Sequence, residues 1–449
     1  MIKWMTILRH SKKRKLTMDY IKITVDQNSP KEAFRNIVGM NNSPKITIGA
    51  MTDVECELFN KINPGRTRHH DAALENPGYA LIDVSRIFPL FHADENDPRN
   101  YCFKPTDFYL KQIADSGTEI EFRLGESIEH STERYLVLPP PDFEKWARIC
   151  LNIIRHYNEG WADGLHLGIK YWSIWEEPDN FRLFDGPFEK YLELYTIVAK
   201  AIKKEFPDLL VGGPNTMGVT DKTEQFFSHC RDTESPVDFT AFTDYSREPE
   251  HLIFKVNKLK ALADKYGFVD TEICVSEFHY GPTSWDYKDT NKYESFKTVE
   301  SAAYTTYVIS KLYDSPLSCA FYYGWACSIW GLNAIGTRTL LPIGDALIYL
   351  GDMSHCTSRL IPTVEGSCDD CTFLCGETEN GNVKILASFF KAHNAEMAFT
   401  VPGKTKCYVR KISNNTAASQ AIKTIDIIDD KFYAYFDEGG CGVFLFDFE

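Results

Sequence analysis

From about residue 34 to residue 355 the apolar positions alternate between two textures, short continuous runs and longer stretches of helical period. Short apolar runs bounded by helical segments mark strands covered on both faces by helices, and so repeated βα units. The helices are explicit. Phe143, Trp146, Ala147, Cys150, Ile153, Ile154 and Tyr157 recur at i, i+3, i+4 and i+7 behind Asp142, a residue suited to accept a backbone N–H at a helix start, and Gly160 follows their end. Tyr191, Leu192, Tyr195, Val198, Ala199 and Ile202 repeat the stripe behind Pro187, whose fixed φ suits a first turn. Between helices, the runs 35–40, 67–71, 118–124, 170–175, 209–213, 237–242, 272–276 and 319–323 predict eight strands. Eight such units predict an α/β fold closed as a (β/α)8 TIM barrel rather than an open sheet.

After Ser354 the texture changes to strand-like runs at 373–375, 383–390, 407–412, 431–436 and 442–448, separated by Gly, Asn and Asp turns. This predicts an appended C-terminal β-sandwich. The alternation at 21–25 predicts that the sandwich also includes an N-terminal strand. The expected organisation is a basic tail over 1–17, the N-terminal strand within 18–33, the barrel over 34–355 and the sandwich over 356–449.

Composition narrows the function classes. The 449 residues carry 63 acidic and 49 basic side chains, a net charge of −14, so neither nucleic acid nor an anionic membrane is an expected partner. Lys3, Arg9, Lys12, Lys13, Arg14 and Lys15 make the one basic cluster, read as a solvated tail, with Met18 as an alternative start. The apolar stretch from Trp4 to Leu8 is too short for an export signal. The uncharged segment 315–337 contains Gly324, Asn333 and several Ser, and reads as a buried strand and a site loop rather than a membrane span. Thirteen cysteines, an odd count without an export signal, point to reduced thiols and a cytoplasmic location. Cys368, Cys371 and Cys375 include one CxxC but no second pair at zinc-finger spacing, so no metal is expected.

In a TIM barrel, chemistry sits at the carboxyl ends of the strands. The fourth predicted strand ends Trp175-Glu176-Glu177-Pro178-Asp179, and the seventh ends Val275-Ser276-Glu277-Phe278-His279. Two such Glu, three strands apart around a ring, suit glycosidic cleavage, in which one carboxyl protonates the leaving oxygen and the other attacks the anomeric carbon. Trp285, Trp325 and Trp330 follow the last two strands, where an indole can stack on a sugar. His70 and Asp71 follow the second strand and can bond hydroxyls; Arg123 and Glu126 end the third and are weaker candidates.

The Trp175-Glu176-Glu177-Pro178-Asp179 run resembles the Trp-Asn-Glu-Pro signature of clan A glycoside hydrolases, and the chain resembles family 39, which includes β-xylosidases and α-L-iduronidases. Further support comes from Arg68-His69-His70-Asp71, Gly212-Gly213-Pro214, Val237-Asp238-Phe239 and Val275-Ser276-Glu277. The resemblance implies a retaining glycoside hydrolase with a carbohydrate substrate and no cofactor. It makes Glu177 the acid/base, Glu277 the nucleophile, and Tyr245 a partner of the nucleophile. Two departures stand out: Glu176 replaces the family's Asn, which donates to the sugar 2-substituent, and Phe242-Thr243-Asp244-Tyr245 lacks a His two residues before the Tyr. An ionised Glu only accepts. Glu176 can accept from a 2-hydroxyl, hold an amino group, or turn away toward a cation, and in the last case specificity falls to Thr243, Asp244, His279 and Trp325. The rival readings are an endo-acting clan A glycanase and a weakened carbohydrate-binding protein.

Overall fold

The computed structural model describes residues 19–29, 31–42, 53–70, 81–283, 285, 289–325, 328–334, 337, 339–366, 370–414, 419, 421–436 and 440–449. The basic tail, Asp71 and Cys368 therefore lie outside the described residues. Among the described residues, no helix is long and apolar enough to cross a membrane.

The chain starts with β1 (Asp19–Thr24) and β2 (Glu32–Ala33), then enters the barrel strands β3 (Val38–Asn41), β4 (Arg66–His69), β5 (Glu119–Leu124), β6 (Tyr171–Ile174), β7 (Leu210–Gly212), β8 (Phe239–Ser246), β9 (Glu272–Tyr280) and β10 (Leu317–Tyr322). These eight pair in parallel and close on themselves, β10 beside β3. Each predicted barrel run contains or overlaps one of them. Short strands with apolar residues on both faces are what a ring of covering helices requires. The helix Phe143–Asn158 begins where Asp142 accepts from the Lys145 backbone N–H, and it ends before Gly160, whose φ of +77° a side chain would resist. Pro187 stands one residue outside the helix Phe188–Glu205 rather than within its first turn.

After the last barrel helix, Pro342–Ser354, come β11 (Cys356–Leu360), β12 (Thr363–Glu365), β13 (Cys371–Thr378), β14 (Val383–Ala392), β15 (Ala395–Thr400), β16 (Lys406–Lys411), β17 (Lys423–Asp426), β18 (Lys431–Phe436) and β19 (Gly440–Phe448). They form two sheets, ordered β17-β16-β19-β14-β13-β11-β2 and β12-β1-β15-β18. β1 runs parallel to β15, Ile21 beside Met397 and Ile23 beside Phe399, so an N-terminal strand does enter the sandwich.

The larger sheet is buried twice over. Along β19, Phe444, Phe446 and Phe448 join the core between the two sheets, while Val443 and Leu445 join the core continuous with the barrel helices. Successive side chains leave a strand on opposite faces, so a strand apolar at every position belongs between two hydrophobic layers. This packing fastens the sandwich to the barrel through the helix Val299–Leu312.

Nine described cysteines are free. Cys371 is disulfide-bonded, which corrects the expectation of uniformly reduced thiols.

Candidate active site

The barrel mouth gathers carboxylates that water does not reach. Glu176 is fully buried, Glu277 is 6% exposed and Glu177 is 9% exposed. Burying charges of one sign is unfavourable unless cations, donors or protons compensate, and the surroundings supply all three.

Glu177 owes its position to a strained turn after β6. Trp175 and Glu177 have φ of 66° and 35°, and the Glu177 N–H donates to the Asn215 carbonyl at 3.0 Å, Asn215 itself having φ of 52°. Non-glycine residues with positive φ cost on the order of 1–3 kcal/mol each and persist where surrounding packing holds them. Here the holding is visible: the Trp175 indole donates to the Leu183 carbonyl at 2.6 Å and packs on Trp146 and Phe184. One Glu177 oxygen accepts from Thr243 Oγ1 at 2.7 Å and the other from Asn180 Nδ2 at 2.9 Å. Burial, followed by the charge of Glu277, pushes the Glu177 carboxyl up to about 8.

Glu277, on β9, meets different partners. Tyr245 Oη donates to Oε2, and His70 Nε2 contacts Oε1. Burial raises this carboxyl to about 7, opposed by the Tyr245 hydrogen bond and the Arg68 charge. Burial and the neighbouring Glu277 keep the Tyr245 phenol protonated, so it donates. Thr243, whose hydroxyl donates to Glu177, lies beside Glu277 in the β8–β9 register. Like charges this close favour a proton on one of the two, and the surroundings favour Glu177, which accepts only from the neutral Thr243 and Asn180, whereas the Arg68 charge favours the ionised form of Glu277.

Beneath them, Arg68 on β4 is fully buried and pairs with Glu176 Oε2, while its Nε lies 3.3 Å from Glu121 Oε1 and one terminal nitrogen donates to Asn41 Oδ1 at 3.3 Å. Arg66 continues the network, 3.5 Å from Glu121 and 3.1 Å from Glu272. Glu176 thus points into the barrel, and no described residue donates to its Oε1. Ligating atoms of His70, Glu176 and Glu277 lie within 4.8 Å of one another. That donor set matches a small cation, but the adjacent Arg68 guanidinium already supplies positive charge there.

The other candidates separate. Trp330 lies between Tyr245, at 5.3 Å between rings, and Phe296, at 5.1 Å, and Trp285 stacks on it at 6.0 Å while remaining 52% exposed. Trp325 is set apart from Trp285 and Trp330: it is 1% exposed and edges against Phe59 in the core. His279 is packed by Phe296, Tyr322 and Trp330, its Nδ1 lies 2.8 Å from the Tyr280 carbonyl, and burial lowers it to about 4, so it buttresses Trp330 as a neutral ring. Arg123 and Glu126 act beneath the surface: Arg123 bonds Asp83 and the His70 carbonyl, and Glu126 accepts from Ser85. Asp244, pointing away from Thr243 and Tyr245, pairs with Lys255 at 2.6 Å. Tyr323 was missed by sequence reasoning. It ends the run 319–323 and stands 6.1 Å from both His70 and Tyr245, ring to ring, so that it walls the site beside Glu277. Its position just past an apolar strand was the available signal.

Comparison with known proteins adds the family. The profile of glycosyl hydrolases family 39 matches residues 87–327, which include Glu176, Glu177 and Glu277. A β-xylosidase of Geobacillus stearothermophilus is 31% identical over 119 residues, 26% of this chain and 23% of that one. A β-xylosidase of Caldicellulosiruptor saccharolyticus is 24% identical over 265 residues, 52% of each chain. The chain thus spans about half, or less, of the length of these curated relatives. Among solved structures, a glucosidase from Croceicoccus marinus superposes with a TM-score of 0.78 at 20% identity, covering 96% of this chain and 99% of that one. A monomeric β-xylosidase from Caulobacter crescentus gives 0.72 at 15% identity, covering 95% and 99%. At these identities the structural likeness shows the shared barrel-and-sandwich fold, and the profile match over more than half the chain shows the family: this chain belongs to glycosyl hydrolase family 39.

Proposed function

We propose that the protein is a retaining glycoside hydrolase in which Glu177 is the acid/base and Glu277 the nucleophile. The observation that carries this reading is the pair of buried, interacting carboxyls, both held above the ordinary carboxylate range by burial, of which Glu277 has the Arg68 charge and the Tyr245 hydroxyl to favour its ionised form while Glu177 is further raised by the charge of Glu277. Near neutrality one is a proton donor and the other a carboxylate. A retaining glycosidase needs those two states together.

In the first step Glu277 attacks the anomeric carbon while Glu177 protonates the departing glycosidic oxygen, giving a glycosyl ester on Glu277 and a free alcohol. Ionised Glu177 then takes a proton from water, whose oxygen displaces Glu277 from the anomeric carbon. Tyr245 orients the nucleophile through Oε2, and Thr243 and Asn180 orient the acid. Trp285, Trp330 and Tyr323 form the apolar wall, and His70 supplies a polar one. Glycosides of xylose and glucose are the first substrates to examine, because the similar proteins are named β-xylosidases and a glucosidase.

A panel of aryl glycosides tests the reading. Release by the wild type that disappears in Glu277→Gln is the expected result. Failure to release phenol from any xyloside, glucoside, galactoside or arabinoside, or equal release by the variant, would overturn it.

A further inference from the structure

The smaller sheet of the sandwich has a face that the double displacement does not use. From β1, β15 and β18, Ile21, Ile23, Met397, Phe399, Phe432 and Phe436 turn inward to the core between the two sheets. Side chains alternate along a strand, so Tyr20, Lys22, Glu396, Ala398, Tyr433 and Tyr435 turn outward, away from the larger sheet and the barrel behind it. Tyr20, Tyr433 and Tyr435 are 53%, 49% and 53% exposed. Single exposed aromatics are ordinary, but these three share one surface.

The register places them. Glu396 of β15 stands beside Tyr20 on one side and Tyr435 on the other, and Ala398 stands between Lys22 and Tyr433. Two strand spacings put Tyr20 and Tyr435 roughly 10 Å apart, and Tyr433 lies about 7 Å from Tyr435 along β18. Tyr435 lies along the sheet rather than standing on it, since its Oη donates across to Glu396 Oε1 at 3.4 Å. Ala398 faces outward yet is only 8% exposed, so the side chains of its neighbours lie over it, and its methyl group leaves room for a flat ring. The result is a shallow aromatic floor on the scale of a disaccharide repeat in an extended β-linked chain.

Charge limits what can lie there. Lys22 pairs with Glu365 at 3.0 Å, and outward Lys431 balances Glu396, so the formal charge of the face is zero. Nucleic acid needs clustered cations, and an acidic polysaccharide would meet two carboxylates. A neutral sugar chain fits: the C–H face of each ring stacks on a tyrosine, and the hydroxyls at its edge reach Glu396 and Lys22. Sugar chains are also the chemistry of a glycosyl hydrolase family.

We propose that the outer face of the smaller sheet is a second carbohydrate-binding site, holding a neutral, extended β-linked polysaccharide on Tyr20, Tyr433 and Tyr435. It lies on the sandwich rather than at the barrel mouth, so it retains the protein on a polymer and does not position the reacting sugar. The site goes beyond the catalytic reading and does not depend on it.

The test is affinity electrophoresis of the full chain in native gels containing arabinoxylan, hydroxyethylcellulose or polygalacturonate. At least one of the two neutral polymers should retard the wild type, and polygalacturonate should not. Replacing all three tyrosines with Thr, which suits a strand but lacks a ring, should abolish retardation, and each single replacement should weaken binding by roughly 3- to 10-fold. The single variants decide the matter if the triple one does not fold. Replacement of all three with Phe keeps the rings and should preserve retardation. Aryl glycoside hydrolysis and unfolding temperature should be the same in every folded variant. No retardation by either neutral polymer, undiminished retardation of the Thr variants, or stronger retardation by polygalacturonate would overturn the proposal. So would a wild-type dimer, seen by sedimentation, that the Thr variants dissociate, since a second copy would then cover the face. Retardation of a wild type that hydrolyses no aryl glycoside would refute the catalytic reading alone, and hydrolysis without retardation would refute this one alone.

Discussion

The sheet between barrel and sandwich and the mouth of the barrel are both buried, but they are buried differently. In β19, Phe444, Phe446 and Phe448 face one hydrophobic layer and Val443 and Leu445 the other, so each residue gains from losing water. At the mouth and beneath it, Arg68, Glu121, Glu176, Glu177 and Glu277 lose water together, and only ion pairs, hydrogen bonds and a lowered acidity at Glu177 compensate for that loss. Packing builds the first region. The second is maintained against packing, and its arrangement makes sense only through the chemistry it allows. Substitutions should therefore separate stability from turnover according to region.

The largest expected effect is at the mouth: Glu277→Gln should lower kcat by about 10^4-fold or more, the scale of losing a nucleophile, with an unfolding temperature equal to or above that of the wild type. Steady-state kinetics and calorimetry check both halves. Next, Glu177→Ala should slow glycosides with poor leaving groups by about 10^2- to 10^4-fold and spare activated aryl glycosides in the first step. Equal losses for both classes would remove the acid role. In the sheet the pattern should reverse. Phe446→Ala, which empties a site ringed by Phe399, Phe432, Phe444 and Phe448, should lose about 3–5 kcal/mol of stability in denaturant titrations while the folded fraction keeps its kcat.

A smaller effect concerns pH. Glu177 carries its proton up to about pH 8 in the folded protein, against an ordinary value of 4.5. Between those values the unfolded chain releases a proton that the folded chain keeps, so this group's contribution to stability declines as pH rises through the window. The unfolding temperature of Glu177→Gln should accordingly gain on that of the wild type from about pH 4.5 to about pH 8 and then level off. A constant difference would contradict the assignment. Smallest of all, Trp285→Ala should raise KM by about 3- to 10-fold and leave the unfolding temperature unchanged, since the ring stands at the rim.

The same contrast explains what could be read in the chain. Most barrel strands are largely apolar, β4 (Arg66–His69) being the exception, so they stand out as runs, and the two Glu stand out because they follow such runs directly. β17, Lys423–Asp426, is exposed along its whole length and carries no pattern, and the short edge strands β2 and β12 are exposed as well. The Arg68–Glu176 pair joins strands 108 residues apart, and no local spacing encodes it. Trp325 and Trp330 look alike in sequence, yet Phe59 takes the first into the core while Tyr245 and Phe296 hold the second at the wall. Such choices are made by residues distant in the chain, which alternation and caps do not report.

The central claim is a double displacement between Glu177 and Glu277. Proton NMR of the first-formed sugar, recorded within seconds of hydrolysis of an activated aryl glycoside before mutarotation, tests it most directly. The account predicts that the product has the anomeric configuration of the substrate, with the opposite anomer growing in only later. An inverted first product would show a single displacement by water and would contradict Glu277 as nucleophile.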